Sequence, residues 1–250
     1  MTVTAVIPAR YASTRLPGKP LLKIGGKPMI QWVYERVGRA SLVQDVIVAT
    51  DDRRIHDAVQ AFGGRCVMTS PNHTTGTDRL AEAAADLKSD IIVNVQGDEP
   101  LIEPGVIDAC IRPMMDGGAF PAATSCTRIR SREELLNPDV VKVVTDLDGF
   151  ALYFSRFPIP CDRDQGPLSV DLFLNQFFKH IGLYVYRRDF LLEYSRMAPT
   201  PLEVREKLEQ LRILENGYRI RVVETKYDSI SVDTEEDLRR VQDLMKSGSV

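Results

Sequence analysis

Arg10, Arg15 and Lys19 crowd one stretch near the amino terminus, VTAVIPARYASTRLPGKPLL, which contains no acidic residue. The hydroxyls of Ser13 and Thr14 lie between them, and Pro8, Pro17, Gly18 and Pro20 rule out regular structure there. Fixed cations on a stiff loop, together with backbone N–H groups, form a receptor for a polyanion such as a triphosphate. The loop is not a P-loop, because Gly18-Lys19 is followed by Pro20, and it has no G-x-G-x-x-G. A second group with chemical potential is the acidic pair in Gly97-Asp98-Glu99-Pro100. Carboxylates delivered opposite a phosphate-binding loop suit magnesium, which takes one or two of them plus phosphate oxygens and water.

These groups need elements to aim them. Val3 to Ile7 is an apolar run that reads as a buried strand stopping at Pro8, and a helix opens near Pro28 with Met29, Ile30, Val33 and Val37 on one face. A strand at Val46–Ala49 follows, then a helix capped by Asp51 or Asp52 and ended by Gly63-Gly64. A short strand at Cys66–Met68 leads to a loop with His73, Thr74, Thr75 and Gly76, whose hydroxyls are suited to capping the helix of Leu80, Ala81 and Ala84. Ile91–Gln96 is too apolar for a one-sided strand and is expected at the sheet centre, with Asp98 just beyond its carboxyl end. Strand and helix alternating in this way predict a mostly parallel, twisted α/β sheet covered by helices on both faces, with ligands at the carboxyl ends of the strands.

The order changes after a helix whose face is Ile107, Cys110, Ile111 and Met114. Ala122–Thr127, Val140–Thr145 and Phe150–Ser155 read as strands, with Asp148-Gly149 a hairpin turn, and predict a β-rich lobe over the sheet. Lys142, among valines, reads as an edge-strand gatekeeper or a solvent-facing residue. Cys161 to Asn175 reads as a mobile loop. Lys179–Tyr186 is a strand with His180, Gly182, Tyr184 and Tyr186 on one face. Pro201–Asn216 reads as one helix with Val204, Leu208 and Leu211 inward, and Tyr218–Glu224 as another strand. Thr234-Glu235-Glu236-Asp237 has a capping-box pattern, and Asp233 sits just before it.

Composition narrows the classes. The 250 residues suit one α/β domain, with 44% apolar and 27% charged residues as in an ordinary globular chain. A net charge of -3 argues against a general nucleic-acid binder. No apolar run reaches membrane-spanning length, and the four cysteines form no C-x-x-C, so a reduced, cytoplasmic protein is expected.

The run IPARYASTRLPGKPL resembles the signature of the bacterial 3-deoxy-manno-octulosonate (Kdo) cytidylyltransferases, and QGDEP, YFSR-x-x-I-P, LEQLR and VDT-x-EDL extend the likeness nearly end to end. That resemblance implies a nucleotide-diphospho-sugar transferase-like, Rossmann-like fold over 1–250, with a substrate and dimerisation lobe at about 120–200. It implies transfer of CMP from CTP to Kdo for lipopolysaccharide, with Mg2+ held by Asp98 and Asp233. Nucleotide contacts would fall to Ala9, Arg10, Ser13, Arg15, Lys19, Thr75, Gly76, Arg79 and Gln96, and the 3-deoxy-2-ulosonic acid would meet Arg156, His180, Tyr184, Glu209 and Gln210. Lys19, Asp98 and Asp233 would be catalytic, in a homodimer. Many relatives have glycine where this chain has Ser231, beside Asp233. A sialic acid or 8-amino-Kdo acceptor is the nearest rival, and a nucleotide-sugar glycosyltransferase a more distant one that would want a D-x-D motif.

Overall fold

Strand β1 (Val3–Ala9) carries the alternation that divides the core. The computed structural model describes residues 1–12, 16–73, 75–161, 163, 174–228 and 230–247. Val3, Ala5 and Ile7 face a cluster closed by helices α1 (Met29–Val37), α2 (Arg53–Ala61) and α4 (Pro104–Met115). Val6 faces the other side, under α3 (Gly76–Ala85), α6 (Arg188–Tyr194) and α8 (Gln210–Glu215). Side chains that alternate at a period of two therefore give two apolar faces, each covered by helices. Met29, Ile30, Val33 and Val37 of α1 are fully buried, as their spacing predicts.

The main sheet runs β11 (Ile220–Glu224), β7 (Ala122–Arg128), β10 (Phe178–Arg187), β6 (Ile91–Asn94), β1, β4 (Asp45–Thr50), β5 (Arg65–Met68). Only β10 on this path is antiparallel to its neighbours. Strand β1 does not stop at Pro8. The Val6 carbonyl accepts from the Val95 N–H, so two residues on Pro8 also faces β6, beyond the last paired residue Asn94. Its missing N–H therefore costs no ladder bond.

The strands expected in a β-rich lobe over the sheet belong to this same sheet. Strand β8 (Lys142–Thr145) pairs with the first residues of β10 on one side and with β9 (Ala151–Ser155) on the other. Lys142 is thus on neither an edge nor the surface. It is fully buried, and its Nζ donates to the carbonyls of Asn137 (2.9 Å) and Val140 (2.6 Å), which the preceding turn presents. Gly149 turns the β8–β9 hairpin at φ 75°. Two short strands, β2 (Lys23–Ile24) and β3 (Lys27–Pro28), form a separate hairpin, and α5 (Arg132–Leu136) precedes β8. Helix α9 (Glu235–Lys246) closes a smaller cluster with Leu16, Ile24, Met29 and Leu101. The segment read as a mobile loop, Cys161 to Asn175, falls mostly outside the described residues.

The single helix expected over Pro201–Asn216 is two, α7 (Pro201–Glu206) and α8, broken at Lys207 with φ 55°. Val204 is consequently 52% exposed, whereas Leu208 and Leu211 remain buried. Val204→Ser should change stability by less than about 0.5 kcal/mol, and Leu208→Ala should cost about 2–5 kcal/mol in urea melts. A comparably large cost at Val204 would mean an unbroken helix.

Candidate active site

Gly18 sits at φ 67°, and a Cβ there would meet the Tyr11 ring at 3.1 Å, so glycine is required. Its N–H donates to the Tyr11 carbonyl (3.0 Å), which closes the loop and starts a one-turn 3-10 helix, Lys19–Leu21. Lys19 is thereby aimed between two carboxylates. Its Nζ lies 2.7 Å from Asp98 Oδ2 and 3.0 Å from Asp233 Oδ1. Asp98 follows the end of β6, and the Val232 N–H donates to the Asp98 carbonyl (2.9 Å), zipping the two segments together. Asp233 is held on its other side by the capping box of α9, where Asp237 Oδ2 accepts from the N–H groups of Asp233 (3.1 Å) and Thr234 (2.9 Å). Ser231 adopts no left-handed conformation, since Lys207 is the one non-glycine residue with positive φ among the described residues, so this departure from glycine introduces no strain there. Burial opposes the charge on Lys19, but Asp98 and then Asp233 outweigh it and hold its pKa above the ordinary lysine value.

This pair of acids fits a magnesium ion that is also held by substrate phosphates. Both carboxylates are within hydrogen-bond reach of one ammonium, hence close enough to face one cation. No group of three or more His, Cys, Asp or Glu suited to a metal occurs among the described residues, so the donor set asks for further oxygens from elsewhere.

Two cavities open from this end of the sheet and share Gln96. One, of about 350 Å³, is lined by Asp98, Asp233, His180 and the Asp139–Val141 turn. The other, of about 240 Å³, is lined by Gly76, Thr77, Asn94, Tyr184, Glu209 and Gln210, with further tyrosine rings. The His180 ring lies edge-on to Phe154 and tilted against Tyr184, both at 5.2 Å, and this enclosure pushes its pKa down to about 3. The Thr124 hydroxyl donates to the Leu183 carbonyl (2.7 Å), so it accepts from His180 Nε2–H (2.9 Å), which fixes a neutral imidazole with its proton on Nε2. Between Ile181 and Tyr184 the pairing of β10 with β7 slips by two residues, which leaves Tyr184 on the expected face. Burial raises the pKa of Glu209, although the Thr77 hydroxyl donates to its carboxylate at 2.5 Å.

The break at Lys207 is what turns Glu209 and Gln210 into the second cavity. Arg156 fastens it: Nε donates to the Glu206 carbonyl (2.7 Å), Nη2 to that of Lys207 (3.4 Å), and Nη1 to that of Pro138 (2.9 Å). Arg156 therefore links both cavity walls but is not among the residues lining either. Arg79 is fully buried below, donating to Asp51 Oδ2 (2.6 Å) and to the Thr69 hydroxyl, and also lines neither. Thr75 caps α3, its hydroxyl accepting from the Asp78 N–H, and Gly76 begins that helix. Ala9 ends β1 buried, with Arg10 half-buried after it. Ser13 and Arg15 lie outside the described residues. Sequence reasoning missed Asn94 and Thr77; a lone polar residue ending the apolar IIVN strand was the available signal for the first.

A mostly parallel α/β sheet with a cationic loop facing two carboxylates at its carboxyl end is the arrangement of a nucleotidyltransferase. A family model described as cytidylyltransferase matches residues 4–221. The chain is 61% identical to the 3-deoxy-manno-octulosonate cytidylyltransferase of Geotalea uraniireducens, covering 98% of this chain and 100% of that one. It is 59% identical to the enzyme of that name from Geobacter sulfurreducens, with the same coverage. A solved structure of CMP:2-keto-3-deoxy-manno-octonic acid synthetase complexed with CTP superposes with a TM-score of 0.92 at 46% identity, over 99% of this chain and 100% of that one. The chain belongs to the 3-deoxy-manno-octulosonate cytidylyltransferase family.

The depressed His180 pKa has a measurable consequence. Between about 3 and the ordinary value of 6.5 the unfolded chain binds the proton and the folded one does not, so stability falls as pH falls through that window. His180→Gln should remove about 1–2 kcal/mol of the stability difference between pH 7 and pH 5. An unchanged difference in urea melts would mean an imidazole that titrates freely.

Proposed function

We propose that this protein transfers CMP from CTP to the anomeric hydroxyl at C2 of Kdo and releases pyrophosphate, supplying CMP-Kdo for lipopolysaccharide. The observation that carries the reading is the convergence of Asp98 and Asp233 on Lys19 beside the phosphate loop. Arg10, Arg15, Lys19 and the loop's backbone donors neutralise the triphosphate, with Ala9, Ser13, Thr75, Gly76, Arg79 and Gln96 shaping the rest of the nucleotide site. Some act by contact and others, such as Arg79, by support from below. Asp98 and Asp233 hold Mg2+, which when bound would acidify the attacking hydroxyl and screen charge on the phosphoryl oxygens. Lys19 screens charge that accumulates as the bond to pyrophosphate breaks, and catalysis is positioning plus electrostatics with no covalent enzyme intermediate. His180, Tyr184, Glu209 and Gln210 receive the sugar hydroxyls. Arg156 meets its carboxylate or holds the Glu206–Lys207 break that presents Glu209 and Gln210. The working form in this reading is a cytoplasmic homodimer joined through residues at about 120–200.

Pyrophosphate release, screened with the four common nucleoside triphosphates against Kdo, its 8-amino form and a sialic acid, tests this directly. CTP with Kdo should turn over fastest; a purine nucleotide or a sialic acid in first place would overturn the reading. Asp98→Asn should lower kcat by about a thousandfold or more at saturating magnesium and substrates. Near-normal turnover would remove Asp98 from the metal. Arg156→Ala should raise the KM for the sugar acid about tenfold or more and leave that for CTP nearly unchanged, the scale of one charge-assisted hydrogen bond.

A further inference from the structure

Asn94 is the last residue of β6 and the one polar side chain in its IIVN run. It is only 4% exposed, it lines the 240 Å³ cavity, and its Oδ1 has no hydrogen-bond partner among the described residues. Tyr184 stands directly opposite it on β10, 8% exposed, lining the same cavity, and its hydroxyl also lacks a partner among the described residues. Cross-strand partners project to the same face, so the two groups meet the same space. A carboxamide buried in the middle of a sheet is costly unless something bonds to it, and two such groups side by side specify a polar occupant.

We infer that Asn94 is a specificity-determining residue for the acceptor, its carboxamide oxygen accepting a hydrogen bond from a hydroxyl on the exocyclic tail of the sugar acid. This rests on the acceptor reading above and deepens it. Asn94 Oδ1 and the Glu209 carboxyl oxygens are acceptors on one cavity and suit the hydroxyl donors of such a tail. The C2 hydroxyl that reacts, with the carboxylate on the same carbon, belongs beside Asp98, Asp233 and Lys19, where the 350 Å³ cavity lies, and this leaves the tail for the 240 Å³ one. Tyr184 Oη, able both to donate and to accept, completes the contact next to Asn94.

The test compares wild type, Asn94→Ala and the near-isosteric Asn94→Leu with two acceptors, Kdo and its analogue lacking the exocyclic diol. With Kdo, both variants should lose about 10–100-fold in kcat/KM, expressed in the sugar KM, while the CTP KM stays within twofold. With the truncated analogue the loss should shrink below threefold, because the hydroxyl that Asn94 reads is gone. Equal losses with the two acceptors, or a loss expressed in the CTP KM, would overturn the role of Asn94 while leaving the acceptor reading intact. Wild-type turnover of neither acid would overturn the acceptor reading and this inference with it.

Discussion

One ammonium between two carboxylates organises the carboxyl end of the sheet in this molecule. Lys19, Asp98 and Asp233 come from three regions far apart in sequence, and each arrives by a different local device. A left-handed glycine delivers the lysine, the end of a central strand delivers the first acid, and a helix capping box delivers the second. The Val232–Asp98 backbone hydrogen bond then locks the last of these to the sheet. Two acids this close repel each other, so a cation must accompany them. Lys19 is that cation here, and its raised pKa is the electrostatic signature of the arrangement. A metal ion carried in with phosphates would meet the same demand.

The cavity beside Glu209 depends on a different constraint, the non-glycine residue held at positive φ in Lys207. Such a conformation persists only where its surroundings over-determine it. Arg156 supplies much of that, with its guanidinium donating to carbonyls on both sides of the break and to the Pro138 turn. The consequence is a kinked segment whose next residues, Glu209 and Gln210, enter a cavity instead of continuing along a helix. Lys142 anchors the opposite wall in the same manner, through the carbonyls of Asn137 and Val140. Cations that serve backbone carbonyls, the buried Lys142 and the half-buried Arg156, thus brace the walls, while acids and tyrosines form much of the lining.

Much of this was legible in the residues. The β1 run as far as Ile7, the central β6 strand, the Asp52 and Thr234 caps and the α1 face all follow from local rules that the structure obeys, whereas β1 runs on through Pro8 and Lys19–Leu21 forms a 3-10 turn. The break at Lys207 was not legible, because LEVREKLEQLR contains neither glycine nor proline and keeps a helical period throughout. Lys142 misled because a lysine among valines is ordinarily an edge device, and only the pairing of β8 with both β9 and β10 makes it interior. Arg79 and Arg156 carry no mark of their partners, since an arginine that serves carbonyls within the fold looks the same in sequence as one that serves a ligand. Motif resemblance placed both near the chemistry; geometry shows what each holds.

The account stands on Asp98 and Asp233 facing one divalent ion beside the bound nucleotide. The most direct measurement is a crystal structure with Mn2+ and a non-hydrolysable CTP analogue, with the metal located by its anomalous signal. The account predicts a single peak bonded to both carboxylates and to phosphate oxygens, with Lys19 turned onto the phosphates. A peak that touches neither acid, or carboxylates that move apart when the nucleotide binds, would contradict it.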